Sequence, residues 1–150
     1  MLKEINPPKS PPADHIVAIV GATLIDGLGG QPVTDSVVVV QGDKITVVGP
    51  RAAVTVPAGA EIVDAKGLTL LPGLIDTHFH IESDMALPRL YLSHGVTSVR
   101  DPGEWLKRWT PAIQIDSPMP RYFHCGPHLE RKPPKHPGSS IIVNDVPEAV

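Results

Sequence analysis

Two histidines one residue apart interrupt an apolar stretch, LPGLIDTHFHIE, at positions 71–82. In an extended strand, side chains i and i+2 point to one face and lie about 6.6 Å apart. The residues that would share one face are Asp76, His78, His80 and Glu82. Four ionisable groups on one face of a buried strand are costly unless a charged partner compensates them. The pattern therefore predicts that His78 and His80 bind one divalent cation, each nitrogen about 2.0–2.1 Å from it if the ion is zinc.

The ordinary explanation of an isolated H-x-H pair is two surface histidines on a half-exposed strand. Here the flanking sequence GLTLLPGLID is apolar at almost every position, so both faces of the segment are expected to be buried. This context favours a central strand and therefore favours the metal site.

Short β-branched segments dominate the chain from His15 to about Leu71. HIVAIVGATLID predicts a strand, DSVVVVQGDKITVVG predicts a hairpin that turns at Gly42-Asp43, and EIVD and LTLL predict two shorter strands. Strands at this spacing indicate a small antiparallel sheet or one half of a sandwich.

After Pro72-Gly73, predicted strands alternate with predicted helices. The strands are LIDTHFH, VTSVRD and RYFHCG, and the helices are DMALPRLYLSHG and DPGEWLKRW. Such alternation is typical of a parallel α/β layout. We therefore expect an α/β chain in three segments: a flexible proline-rich lead-in at 1–13, a β-sandwich segment at 14–71 and a strand–helix segment at 72–150.

The first strand resembles a known family. GLTLLPGLIDTHFHIE is similar to the opening strand of the amidohydrolase superfamily: an apolar run, Pro-Gly, a short apolar stretch, Asp, then H-x-H. HGVTSVRDPG resembles the second barrel strand of the branch that contains imidazolonepropionases and prolidase-like enzymes. The resemblance covers about residues 14–150 and implies a composite β-sandwich followed by a TIM-like (β/α)8 barrel. Such a barrel takes about 250 residues, so we expect this chain to be the amino-terminal fragment of a longer enzyme with an incomplete barrel.

The resemblance implies a metal-dependent hydrolase that cleaves C–N bonds other than ordinary peptide bonds, in amide, cyclic amide or dipeptide-like small molecules, through a metal-activated water. His78 and His80 would bind one or two divalent ions, and Zn²⁺ is the expected metal. The catalytic acid and base and the remaining ligands are expected beyond Val150. The sequence leaves open whether the complete enzyme forms a homo-oligomer.

Three further residues are candidates for supporting or rim positions. The resemblance places Asp76 below the metal, and Asp101 and His124 close the second and third predicted strands. For Asp101 a structural role is favoured, because it can cap the helix that starts at Pro102, with Glu104 completing a capping box. A rim or substrate-side role is open for His124 and for His128, while His136 falls in a predicted loop.

Other classes of function find little support. A net charge of −3 and a pI near 6.1 give no reason to expect nucleic-acid binding, and no apolar run approaches the roughly 20 residues that span a bilayer. A single cysteine, Cys125, fits a reducing compartment, so a cytoplasmic protein is expected. VAIVGATLIDGLGG lacks the spacing of a dinucleotide-binding motif. Two alternatives stay open: a non-catalytic relative, and a β-rich binding module whose histidines hold a structural metal.

Overall fold

The computed structural model describes residues 3–4, 7–80, 87–103 and 118–149 of the chain. In chain order the strands and the helix are β1 (Lys3–Glu4), β2 (Ile16–Leu24), β3 (Val33–Gln41), β4 (Lys44–Pro50), β5 (Glu61–Asp64), β6 (Thr69–Leu70), β7 (Leu74–Asp76), α1 (Leu87–Ser93), β8 (Val96–Asp101), β9 (Arg121–His124), β10 (His128–Glu130) and β11 (Ser140–Ile142). The chain divides into two compact units, Lys9–Pro72 and a second formed by Met1–Pro8 with Gly73–Val150. The described part is thus mixed α/β and rich in strands. None of its helical segments has the length and apolar character needed to span a bilayer.

The first unit is a mixed sheet in the order β4-β3-β2-β5, and β6 also pairs with β2. The predicted hairpin is confirmed: β3 and β4 are antiparallel, and Gly42 turns the chain between them with φ +57°. The prediction of an antiparallel sheet is wrong for β5 and β6, which run parallel to β2. Because the connection at 51–60 carries the chain back to the end where β2 begins, β5 repeats the direction of β2.

The core of the first unit comes from the inward faces of β2 and β3. Ala18, Val20, Val37 and Val39 are at most 6% exposed, as the alternation along β2 requires. The one polar side chain fully buried beside them, Ser36, donates its hydroxyl to the carbonyl of Ala22 at 2.9 Å, so burial leaves it satisfied.

The second unit contains a sheet in the order β1-β9-β8-β7, in which β7, β8 and β9 are parallel and β1 is antiparallel to β9. The parallel layout predicted from the alternation of strands and helices is therefore confirmed. α1 has Pro88 in its first turn, and Gly95, with φ +84°, follows its end as predicted. Of the second predicted helix, DPGEWLKRW, the structure describes only residues 101–103; its remaining residues and Glu82 lie outside the described part of the chain.

Two features of this sheet differ from the sequence-based expectations. Among the described strands, β7 lies at an edge of the sheet rather than in its centre, and its side chains Leu74 and Ile75 are 55% and 66% exposed. The lead-in predicted as flexible contains β1, where the Arg121 guanidinium donates two hydrogen bonds to the carboxylate of Glu4 at 2.8 and 2.9 Å. These bonds lower the pKa of Glu4 below its ordinary value.

A small aromatic core lies on one face of this parallel sheet. Phe79, Val99 and Tyr122 are at most 4% exposed, and Tyr91 of α1 packs against them. The ring of Phe79 meets those of Tyr91 and Tyr122 edge to face, at 4.9 and 6.1 Å between centroids. Burial raises the pKa of Tyr122 above its ordinary value. This core fixes the backbone on either side of Phe79, where the two histidines of the motif lie.

The glycine of the Pro-Gly motif is required by a close contact. A methyl group on Gly73 would overlap Thr97 of β8, whose Cβ would lie 2.7 Å away. We expect Gly73→Ala to lower the free energy of unfolding of the second unit by about 1–3 kcal/mol, the usual cost of overpacking. Amide exchange of β8 measures this. Gly30→Ala is the matched control, since a methyl there meets nothing within 4 Å, and equal effects of the two variants would contradict the explanation.

Candidate functional site

The two histidines of the motif follow the carboxyl end of β7. The prediction that one strand covers LIDTHFH is wrong, because β7 ends at Asp76 and the chain bends at residues 77–78. The Asp76 side chain causes the bend: its Oδ1 accepts a hydrogen bond from the amide of His78 at 3.0 Å. Phe79 then returns to the sheet, donating its amide to the carbonyl of Arg100 at 2.9 Å.

The rings of His78 and His80 lie close together on the exposed side of this segment. Their centroids are 5.1 Å apart and their planes are inclined by 78°. Phe79, between them, is buried, whereas both histidines are exposed. The bend has therefore not separated the two imidazoles, and both remain accessible to an ion.

Asp101, at the carboxyl end of β8, contacts one histidine of this pair. Its Oδ1 lies 3.3 Å from Nδ1 of His80 and accepts the amide of Gly103 at 2.9 Å. The carboxylate is completely buried, and its Oδ2 has no hydrogen-bond partner among the described residues. Asp101 thus combines a turn-capping hydrogen bond with a 3.3 Å polar contact to a histidine of the motif. Glu104, the predicted capping-box partner, lies outside the described residues.

His124 occupies the equivalent position on the third parallel strand. It closes β9, is 8% exposed and pairs in register with Asp101. Because β7, β8 and β9 are parallel, their carboxyl ends lie at the same end of the sheet. Asp76, Asp101 and His124 are the residues at those ends. The structure thus places the three supporting candidates at the carboxyl ends of three adjacent parallel strands, and the side chain of Asp101 contacts the histidine pair. Cys125, one residue further, is exposed.

A second cluster was not predicted from the sequence. His128 and Glu130 on β10 and His136 in the following loop have ligand atoms that all lie within 4.8 Å of one another. Hydrogen bonds from the backbone and ring of His136 lower the pKa of Glu130 to about 2. The H-x-E spacing is the signal that could have revealed it, because residues i and i+2 of a strand share a face. That His136 joins them depends on the fold of a proline-rich loop.

The first unit offers a cavity of a different kind. A volume of about 590 Å³ is lined in part by Asp35, Arg51, Asp64 and Lys66. Two acids and two bases give it no preference for a cation or an anion, and no histidine borders it. Both histidine clusters described above therefore lie in the second unit.

The chain is similar in sequence to known enzymes. No family model matches the chain. The chain is 28% identical over 157 aligned positions, gaps included, to an adenine deaminase of Mesorhizobium japonicum, covering 93% of this chain and 25% of that protein. It is 41% identical over 90 residues to an N-acyl-D-aspartate deacylase of Alcaligenes xylosoxydans xylosoxydans, covering 58% of this chain and 17% of that protein.

The fold has solved counterparts as well. A Bifidobacterium longum protein with a proposed prolidase function superposes with a TM-score of 0.66 and 29% identity, over 88% of this chain and 35% of that chain. The chain spans a quarter or less of the length of the two curated relatives. By sequence and by fold, the chain is similar to the amino-terminal portion of enzymes of the amidohydrolase superfamily.

Proposed function

We propose that this chain supplies the amino-terminal part of a metal-dependent hydrolase of C–N bonds, and that His78 and His80 are ligands of its divalent cation. The observation that carries the proposal is the pair of exposed imidazoles 5.1 Å apart, one of which contacts a buried carboxylate. The names of the relatives support the reaction class, since deamination of adenine and deacylation of an N-acyl amino acid both break a C–N bond.

The contact between His80 and Asp101 suits a metal ligand. An imidazole that donates Nδ1–H to a carboxylate has its tautomer fixed and keeps Nε2 free for an ion. The buried Oδ2 of Asp101, which has no hydrogen-bond partner within the described segments, adds a negative charge next to the pair. A cation at the imidazoles would compensate that charge, which is otherwise costly to bury. The donor set of two imidazoles backed by a carboxylate fits Zn²⁺.

In the proposed mechanism the residues of this chain position the two histidine ligands and polarise the ring of His80. A bound divalent cation would supply Lewis acidity at the scissile bond. Asp101 would hold the proton on Nδ1 of His80 and fix the orientation of the ring. Asp76 would hold the bend that presents His78, and Phe79 would anchor the segment between the two ligands through the aromatic core. The proton acceptor and the remaining ligands are proposed to come from residues outside this chain.

We further propose that β7, β8 and β9 are the first three strands of a TIM-like barrel. Active sites of such barrels lie at the carboxyl ends of the strands. Asp76, Asp101 and His124 lie at those ends, and the two histidines directly follow one of them. On this proposal, residues 14–71 form the sandwich segment and 72–150 the beginning of the barrel.

Removal of metal from the protein translated from the complete reading frame tests the function. We expect a chelator to abolish release of ammonia or amine from adenine, N-acyl amino acids or proline dipeptides, and added Zn²⁺ to restore it, because the cation supplies the Lewis acid. The same protein kept in metal-replete buffer is the control. Hydrolysis that survives complete removal of the metal would contradict the proposal.

A further inference from the structure

We infer that His128, Glu130 and His136 form a second site for a divalent transition-metal cation, distinct from the histidine pair that follows β7. The three side chains come from one strand and the loop after it, and their ligand atoms lie within 4.8 Å of one another. The inference does not depend on the proposed hydrolytic function.

Glu130 is held in place by its neighbours. Its Oε1 lies 2.7 Å from Nδ1 of His136, and its Oε2 accepts the amide of His136 at 3.0 Å. The hydroxyl of Ser140, at the start of β11, is 2.8 Å from the same Oε2. With 17% of its side chain exposed, the carboxylate is oriented yet open to an ion.

His128 brings a second imidazole to the same place. Its ring meets the ring of His136 edge to face, with centroids 4.5 Å apart. A methyl group on Gly103 would overlap the ring of His128, whose Cε1 would lie 2.6 Å away, so the absence of a side chain at Gly103 makes room for it. The backbone supports the arrangement: the amide of His128 donates to Ser139 at 2.8 Å, and that of Ser139 donates to His136 at 2.9 Å.

The distances between the ligand atoms of the three side chains are close to those found around a bound metal ion. In tetrahedral coordination with ligands about 2.0–2.2 Å from a zinc ion, neighbouring ligand atoms are about 3.4 Å apart. Rotations of the half-buried His128 and the exposed His136 can bring donors within 4.8 Å to that separation. Two imidazoles and one carboxylate are also a known zinc donor set that keeps one coordination position open.

An ion pair between His136 and Glu130 alone is the competing explanation. It accounts for the 2.7 Å contact, but it gives no role to the second imidazole, whose ring packs edge to face against that of His136. The exposed basic residues of the loop, Lys132 and Lys135, would also disfavour loose accumulation of cations. Binding must therefore come from the ligand geometry, which favours Zn²⁺, Ni²⁺ or Cu²⁺ over Mg²⁺ and Ca²⁺.

Calorimetric titration with Zn²⁺ tests the site in the protein that carries His78→Asn and His80→Asn, so that the first proposed site is already removed. We expect one equivalent to bind. Adding His128→Asn or His136→Asn should weaken that binding by more than about 100-fold, since loss of an outer-shell partner alone costs about 10–100-fold. Mg²⁺ should give no binding under the same conditions.

His15→Asn is the matched control, because His15 also pairs with a carboxylate, Glu61 at 3.2 Å, but has no second imidazole in that pair. It should leave the affinity unchanged. Far-UV circular dichroism of each variant checks folding, and Ser140→Ala provides a variant that keeps all three ligands and should weaken binding less. No binding in the first background, or affinity equal across the His128, His136 and His15 variants, would overturn the site.

Discussion

Replacing His78 and His80 together by asparagine is expected to remove one equivalent of tightly bound divalent metal from the protein. The two rings lie 5.1 Å apart, and loss of both would remove the imidazole ligands that this chain offers beside Asp101. We expect affinity for that equivalent to fall by more than about 100-fold, since an outer-shell substitution alone costs about 10–100-fold. Metal content after dialysis against Zn²⁺, counted per chain, measures the loss.

Asp101→Asn separates the two roles that Asp101 can have. Asparagine still accepts the amide of Gly103, so a purely capping residue would lose little. Asparagine carries no negative charge to polarise His80. If Asp101 orients that ring, the substitution should therefore lower metal affinity about 10–100-fold. His94→Asn serves as the control, because His94 is exposed at the end of α1 and its Nδ1 contacts the carbonyl of Leu90 at 2.8 Å. For the variant in which both His78 and His80 are replaced by asparagine, an unchanged metal content would show that these histidines are not ligands.

The strands were predictable where local alternation determines burial. Ala18, Val20 and Ala22 alternate with less buried residues along β2, and every side chain on that face is apolar. The hairpin between β3 and β4 was predictable because Gly42 supplies the positive φ of its turn. The parallel pairing of β5 with β2 was not, since it joins strands about 40 residues apart in sequence and no local pattern encodes it.

The candidate site was predictable in part. The H-x-H motif identified His78 and His80, but the alternation rule placed them inside a strand that in fact ends at Asp76, because one side-chain hydrogen bond bends the chain there. The contact of Asp101 with His80 comes from the register of two parallel strands, and the cluster of His128, Glu130 and His136 from the closure of a loop. These are tertiary features, which spacing alone does not determine.

Phe79→Ala is expected to destabilise the second unit by about 3–5 kcal/mol, the usual range for removing a buried phenylalanine side chain. Phe79 is 4% exposed and packs edge to face on Tyr91 and Tyr122, so its loss leaves a cavity between α1 and the sheet. The protein has one other phenylalanine, Phe123, and Phe123→Ala is the matched control. Phe123 is half-buried and lies under the guanidinium of Arg121, 5.3 Å from its ring centroid, so we expect a smaller loss there.

Residue-specific amide exchange can measure the destabilisation of each unit separately. In Phe79→Ala, exchange should accelerate in β8 and β9, whereas the amides of β2 and β3, which belong to the other unit, should keep their protection. Because Phe79 lies between the two proposed ligands, the same variant should also lower metal affinity although it removes no ligand atom. If Phe79→Ala were no more destabilising than Phe123→Ala and left metal binding intact, the aromatic core would not be what holds the two histidines in position.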